Sequence, residues 1–124
     1  MKYIGNIEKE TKENENFRKV LTTGQYSQLV VMSLLPGEEI GMETHSNIDQ
    51  FIRIEKGEAK VILDGEETEI EDDFAVVIPA GTEHNVVNIG QTKLKLYSIY
   101  SPAEHPAGTI HQTKAEASEA EHHH

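Results

Sequence analysis

A chain of 124 residues and 13.9 kDa makes one domain, and its 36% hydrophobic content, though lean, suffices for one packed core rather than disorder. Twenty-two acidic residues against eleven basic ones give a formal charge of −11; nucleic acid and anionic membrane surfaces bind through cations, so neither is an expected partner. No cysteine is present, which excludes disulfides, iron–sulfur clusters, thiolate zinc and cysteine nucleophiles.

Residues 1–16 form a polar lead-in that should be exposed, with neither a basic n-region nor an apolar h-region. No later stretch approaches ~20 apolar residues, so the expectation is a soluble, cytoplasmic protein. Residues 17–112 then read as strand after strand, each ended by a turn signal. An apolar run at 28–35 closes on Pro36-Gly37. The segment 50–55 (QFIRIE) alternates, with Gln50, Ile52 and Ile54 on one face and Phe51, Arg53 and Glu55 on the other. Residues 59–63 and 66–70 flank Asp64-Gly65, a two-residue hairpin signal because a type I′ turn needs positive φ at both positions. Residues 74–78 lead into Pro79-Ala80-Gly81, and 84–88 and 94–101 complete the set. Short strands at this spacing predict an all-β sandwich or barrel. The charged run 66–73 (EETEIEDD) fits a solvated hairpin edge. Residues 113–124 form a charged tail, short and irregular or helical by its helix-forming composition; 113–121 lack an apolar stripe and should fray or project, and His122, His123 and His124 read as the remains of a purification tag.

Two segments combine metal-capable side chains with glycines at fixed offsets. In the first, Gly37, Glu43, Thr44, His45, Gln50 and Gly57 are spaced along GEEIGMETHSNIDQFIRIEKG. In the second, Asp73, Pro79, Gly81, His84 and Asn88 are spaced along DFAVVIPAGTEHNVVN. These resemble the two motifs of the cupin superfamily, with Glu43 in place of the first His, Gln50 in place of Glu, and Asp73 in place of Gly. The resemblance implies a small jelly-roll barrel, one divalent metal held inside it by Glu43, His45, Gln50 and His84, a small-molecule ligand or substrate, and pairing into a homodimer.

Strand parity is consistent with that set. His84, Val86 and Asn88 share a face, as do Gln50, Ile52 and Ile54, so the candidate ligands point where the apolar residues of their own strands point. Asp49 has the opposite parity. Two imidazoles, one carboxylate and one amide oxygen suit Fe, Mn, Ni or Zn better than Mg or Ca, and an octahedral ion would keep two positions open for catalysis. Tyr100 should face the cavity and Tyr97 the outside; Asn88 and Tyr100 are candidates to support the ligands. Glu43 and Tyr100 are also the candidate catalytic groups. Arg53 should pair with a neighbouring charge or meet an interface, and Lys60 and Lys95 point outward. His105 and His111 lie beyond both motifs, where a surface or loop role is expected. The chemistry that fits is metal-assisted isomerisation or epimerisation, similar in kind to that of the phosphomannose isomerases. The alternatives are an Fe(II)-dependent dioxygenase using His45, His84 and Glu43, and a non-catalytic, metal-free binding barrel.

Overall fold

The computed structural model describes residues 2–122, the side chain of His122 excepted; the tag expectation for His123 and His124 falls outside the described residues. The element order is α1 (Ile7–Glu13), β1 (Arg18–Thr23), β2 (Gln28–Leu34), β3 (Asp49–Lys56), β4 (Ala59–Leu63), β5 (Glu66–Ile70), β6 (Ala75–Ile78), β7 (His84–Asn88), β8 (Leu94–Ser101), β9 (Ile110–His111) and α2 (Lys114–His122). Six strands form one sheet in the order β6-β3-β8-β2-β1-β9, and three form the other in the order β5-β4-β7. Every pairing is antiparallel. Residues 37–43 run along the free side of β7 through Ile40 N–H to Val86 O (2.9 Å) and the paired bridge Glu43–His84, so the smaller sheet gains an irregular fourth strand. The two sheets face each other as a jelly-roll barrel.

The barrel interior is built by the alternation visible in the sequence. Ile52 and Ile54 of β3, Met32 and Leu34 of β2, and Leu94 and Leu96 of β8 are all buried inside it. Each such side chain contributes about 1.5–3 kcal/mol by leaving water. At the hairpin, Asp64 (φ 48°) and Gly65 (φ 83°) both take positive φ, as a type I′ turn requires. Gly57 holds φ 117°, and a Cβ there would sit 3.2 Å from Leu94 Cα. Asp73 stands where the resembling motif has Gly and accepts φ 72°; its backbone N–H bonds Ile54 O at 2.8 Å and its carboxylate pairs with Arg53 at 3.0 Å.

Both terminal segments pack more closely than expected, although the tail is the short helix its composition allowed. The lead-in carries α1, started by Asn6, whose side chain accepts from Lys9 N–H, and it buries Thr11 and Asn14 against the larger sheet. Lys95 has outward parity yet is covered there, with its ammonium on Asn14 O. The tail neither frays nor projects: α2 buries Ala117, and Lys114 Nζ donates to Ile40 O at 2.7 Å. Among the described residues, no helix is long and apolar enough to cross a membrane.

Candidate metal centre

Glu43 and His84 face each other across two backbone hydrogen bonds, Glu43 N–H to His84 O and His84 N–H to Glu43 O, each 2.9 Å. Cross-strand partners in such a pair project to the same side, and here that side is the barrel interior. His45 follows two residues after Glu43. Its carbonyl accepts from Gly81 N–H at 2.7 Å, so the Pro79-Ala80-Gly81 turn holds it. Gln50 enters from β3, on the opposite sheet, and is only 4% exposed. Asp49 points outward as expected and caps the same turn by accepting from Ala80 N–H at 2.9 Å.

His45 Nε2 lies 3.1 Å from Glu43 Oε2, and its Nδ1 lies 3.4 Å from Glu104 Oε2. Glu43, His45 and Glu104 can each aim one ligand atom into a space where all three atoms lie within 4.8 Å of one another. The His84 ring is beside them, with its centroid 5.4 Å from that of His45. Its Nδ1–H donates to Thr82 O at 2.9 Å, which fixes the tautomer and leaves Nε2 with its lone pair free. Gln50 Nε2–H donates to Ser98 Oγ at 2.9 Å, while Gln50 Oε1 is buried with no partner among the described residues. Gln50 is the strand partner of Tyr100, whose ring faces His45, and an orphaned carbonyl oxygen together with two imidazoles and a carboxylate is a donor set that suits a divalent transition ion.

Burial pushes the Glu43 carboxyl up, against the opposing pull of His45 and Arg18. Tyr100, buried with its ring centroid 6.3 Å from that of His45, is pushed up to about 12, mainly by burial, and remains a phenol. Tyr97 faces outward against Phe51, as the alternation requires. Asn88 does not support the site. It lies four residues along β7 from His84, about 13 Å of strand, and its amide is used up on Leu34 O, Thr92 O and Gly90 N–H. Arg53 pairs with Glu55 and Asp73 on the outside.

Much of the lining around the site lies outside both motifs. A cavity of about 650 Å³ opens next to Glu43, and Arg18, Glu104, His105, Thr109 and His111 line it. His105 sits on a loop, but its ring turns inward, edge-on to Tyr100 at 5.1 Å. Burial, then the charge of Arg18, pulls it down to about 3, so it is a neutral imidazole. His111 on β9 reaches Arg18 Nη1 at 3.3 Å. His105 has the loop position expected of it but turns inward from there, and His111 stands half-buried on β9. Arg18 shares its face of β1 with core residue Val20, so one cation does point into the barrel.

A family model described as the cupin domain matches residues 30–100. YrkC of Bacillus subtilis (strain 168) is 50% identical over 125 residues, covering 96% of this chain and 67% of that protein. L612 of Acanthamoeba polyphaga mimivirus is 46% identical over 113 residues, covering 87% of this chain and 70% of that protein. The crystal structure of BH2720 from Bacillus halodurans superposes with a TM-score of 0.94 at 47% identity, covering 96% of this chain and 95% of that one.

Proposed function

The chain belongs to the cupin domain family, and from that membership we propose that it is a metal-dependent barrel acting on a small polar molecule. His45 Nε2, His84 Nε2, Glu43 and Gln50 Oε1 would hold one divalent transition ion. One observation carries this assignment: His84 commits its Nδ1 to Thr82 O, and His45 stands between two carboxylates, with Glu43 3.1 Å from its Nε2 and Glu104 3.4 Å from its Nδ1. One ring cannot place both nitrogens on a single ion. We assign Glu43, on the closer Nε2 side and directly across the bridge from His84, as the carboxylate that ligates, and Glu104 as the carboxylate that orients.

A bound ion would supply Lewis-acid polarisation of a carbonyl or hydroxyl oxygen. Around it, Tyr100 is a phenol able to donate, and Glu104, on the far side of His45, is a carboxylate outside the proposed ligand set. That pairing favours isomerase-like or epimerase-like proton movement. An Fe(II)-dependent dioxygenase is the second reading, favoured by the two imidazoles and single carboxylate that remain once the neutral Gln50 amide is set aside. Elemental analysis and calorimetric titration with Mn(II), Fe(II), Ni(II) and Zn(II), on protein ending at residue 121, test the proposal. About one ion per chain is expected; none would leave a metal-free binding barrel in its place. Oxygen uptake by the Fe(II)-loaded protein during a substrate screen separates the two chemistries.

The outward face of β6-β3-β8 carries Val77 (66% exposed), Phe51 and Tyr97, and a homodimer through that face is part of this proposal. Sedimentation equilibrium giving twice 13.9 kDa supports it, and a single-chain mass rejects it.

A further inference from the structure

Arg18 is 2% exposed and lines the cavity beside Glu43, yet no carboxylate lies within salt-bridge distance of it among the described residues. Among the described residues Nη1 meets His111 Nδ1 at 3.3 Å, while Nε–H is buried with no partner. A buried cation left without an anion is costly, and its fork of parallel N–H groups matches a planar carboxylate. We propose that Arg18 is the anchor for a carboxylate on the molecule that enters the cavity, so that the ligand is a small carboxylic acid with a second oxygen function turned toward His45 and His84.

The free side of the guanidinium, Nε and Nη2, would donate two parallel hydrogen bonds to that carboxylate, with His111 holding Nη1. The surroundings select the charge. Glu43, Glu104 and Glu121 also line the cavity, and Arg18 is the one cation among the lining residues. One negative charge is balanced there, whereas a phosphate dianion meets three carboxylates. His105 is neutral and adds polarity without charge. The half of the ligand that faces the imidazoles rests on the metal assignment made above; the half on Arg18 does not.

Glycolate, its neutral analogue glycolamide and inorganic phosphate are the probes, titrated calorimetrically at pH 7.5 into the full chain, first metal-free and then loaded with Mn(II). Metal-free wild type is expected to bind glycolate, a monoanion, at least tenfold more tightly than glycolamide or phosphate. Arg18→Gln and Arg18→Lys should each weaken glycolate at least tenfold while Mn(II) affinity stays within about threefold. The chain has two arginines, Arg18 and the outward-facing Arg53, so the Nε–H resonances of wild type give a variant-free readout. Glycolate should shift the Arg18 signal alone. Equal glycolate affinity in the variants, equal binding of glycolamide, tighter binding of phosphate, or an unmoved Arg18 signal each overturns the proposal. A wild type that takes glycolate but no Mn(II) overturns the metal assignment and leaves the Arg18 anchor standing.

Discussion

Replacing Gln50 by Glu changes one atom's chemistry at the centre of the proposed site, and the two halves of its effect have opposite signs. Gln50 is 4% exposed, donates to Ser98 Oγ and leaves Oε1 unpartnered. In Gln50→Glu the Ser98 hydroxyl can rotate to donate, so that hydrogen bond reverses rather than disappears. What is added is a second desolvated carboxylate in a barrel whose first, Glu43, is already pushed up by burial. A rise of ~2 pKa units over an unfolded value of ~4.3 corresponds to about 2.7 kcal/mol. The folded chain would then bind that proton more tightly than the unfolded chain. The loss is accordingly absent below about pH 4, grows to about pH 6 and is constant above it. For a domain of this size that is roughly 8–13 °C in Tm. A divalent ion should reverse the sign, because the carboxylate then faces a cation, and its affinity should rise at least ~10-fold over wild type. Thermal unfolding at pH 4.5 and 7.5, with EDTA and with Mn(II), measures both effects. A variant with no pH-dependent loss and a wild-type response to metal would refute the placement of Gln50 in the site.

His84→Ala removes one of two nitrogen donors and should lower metal affinity at least ~10-fold in titration, whereas Gln50→Ala should cost less than about threefold because water replaces a neutral oxygen. Gly57→Ala forces φ 117° on an L side chain and sets its Cβ 3.1–3.3 Å from Leu94 and Lys93, so a loss of roughly 2 kcal/mol should appear as a lower urea midpoint at unchanged slope. His105 has its folded pKa pulled down to about 3, so stability is unaffected by it above ~6.5 and falls as pH drops from ~6.5 toward 3. His105→Asn should flatten that acid limb in thermal scans between pH 7.5 and 4.5.

The barrel and the positions of Gln50 and His84 were legible because period-two alternation survives from sequence to sheet wherever a strand is regular. Gln50 shares the buried face of β3 with Ile52 and Ile54, and Glu43 comes opposite His84 through a bridge whose motif spacing was visible beforehand. Parity stops at strand ends, and that is where the reading failed. Glu104 and His105 arrive on the loop after β8, which no alternation rule reaches. Arg18 begins β1 directly after the polar lead-in, where one inward Val20 is too little apolar signal to mark its face. Helix α1 escaped for a related reason, and α2 was legible only as a tail that could be irregular or helical. Each buries so narrow a stripe, Thr11 in α1 and Ala117 in α2, that no helical hydrophobic period exists to be found. Asn88 failed differently: its parity was right, but four residues of strand carried it to the far turn.

The central claim is one ion on His45, His84, Glu43 and Gln50, and Co(II) titration of protein ending at residue 121 tests it most directly. Visible absorption should saturate at one equivalent per chain, and both His45→Ala and His84→Ala should abolish the tight phase while remaining folded by circular dichroism. Saturation at no defined stoichiometry, or a tight phase unchanged in both variants, would contradict it.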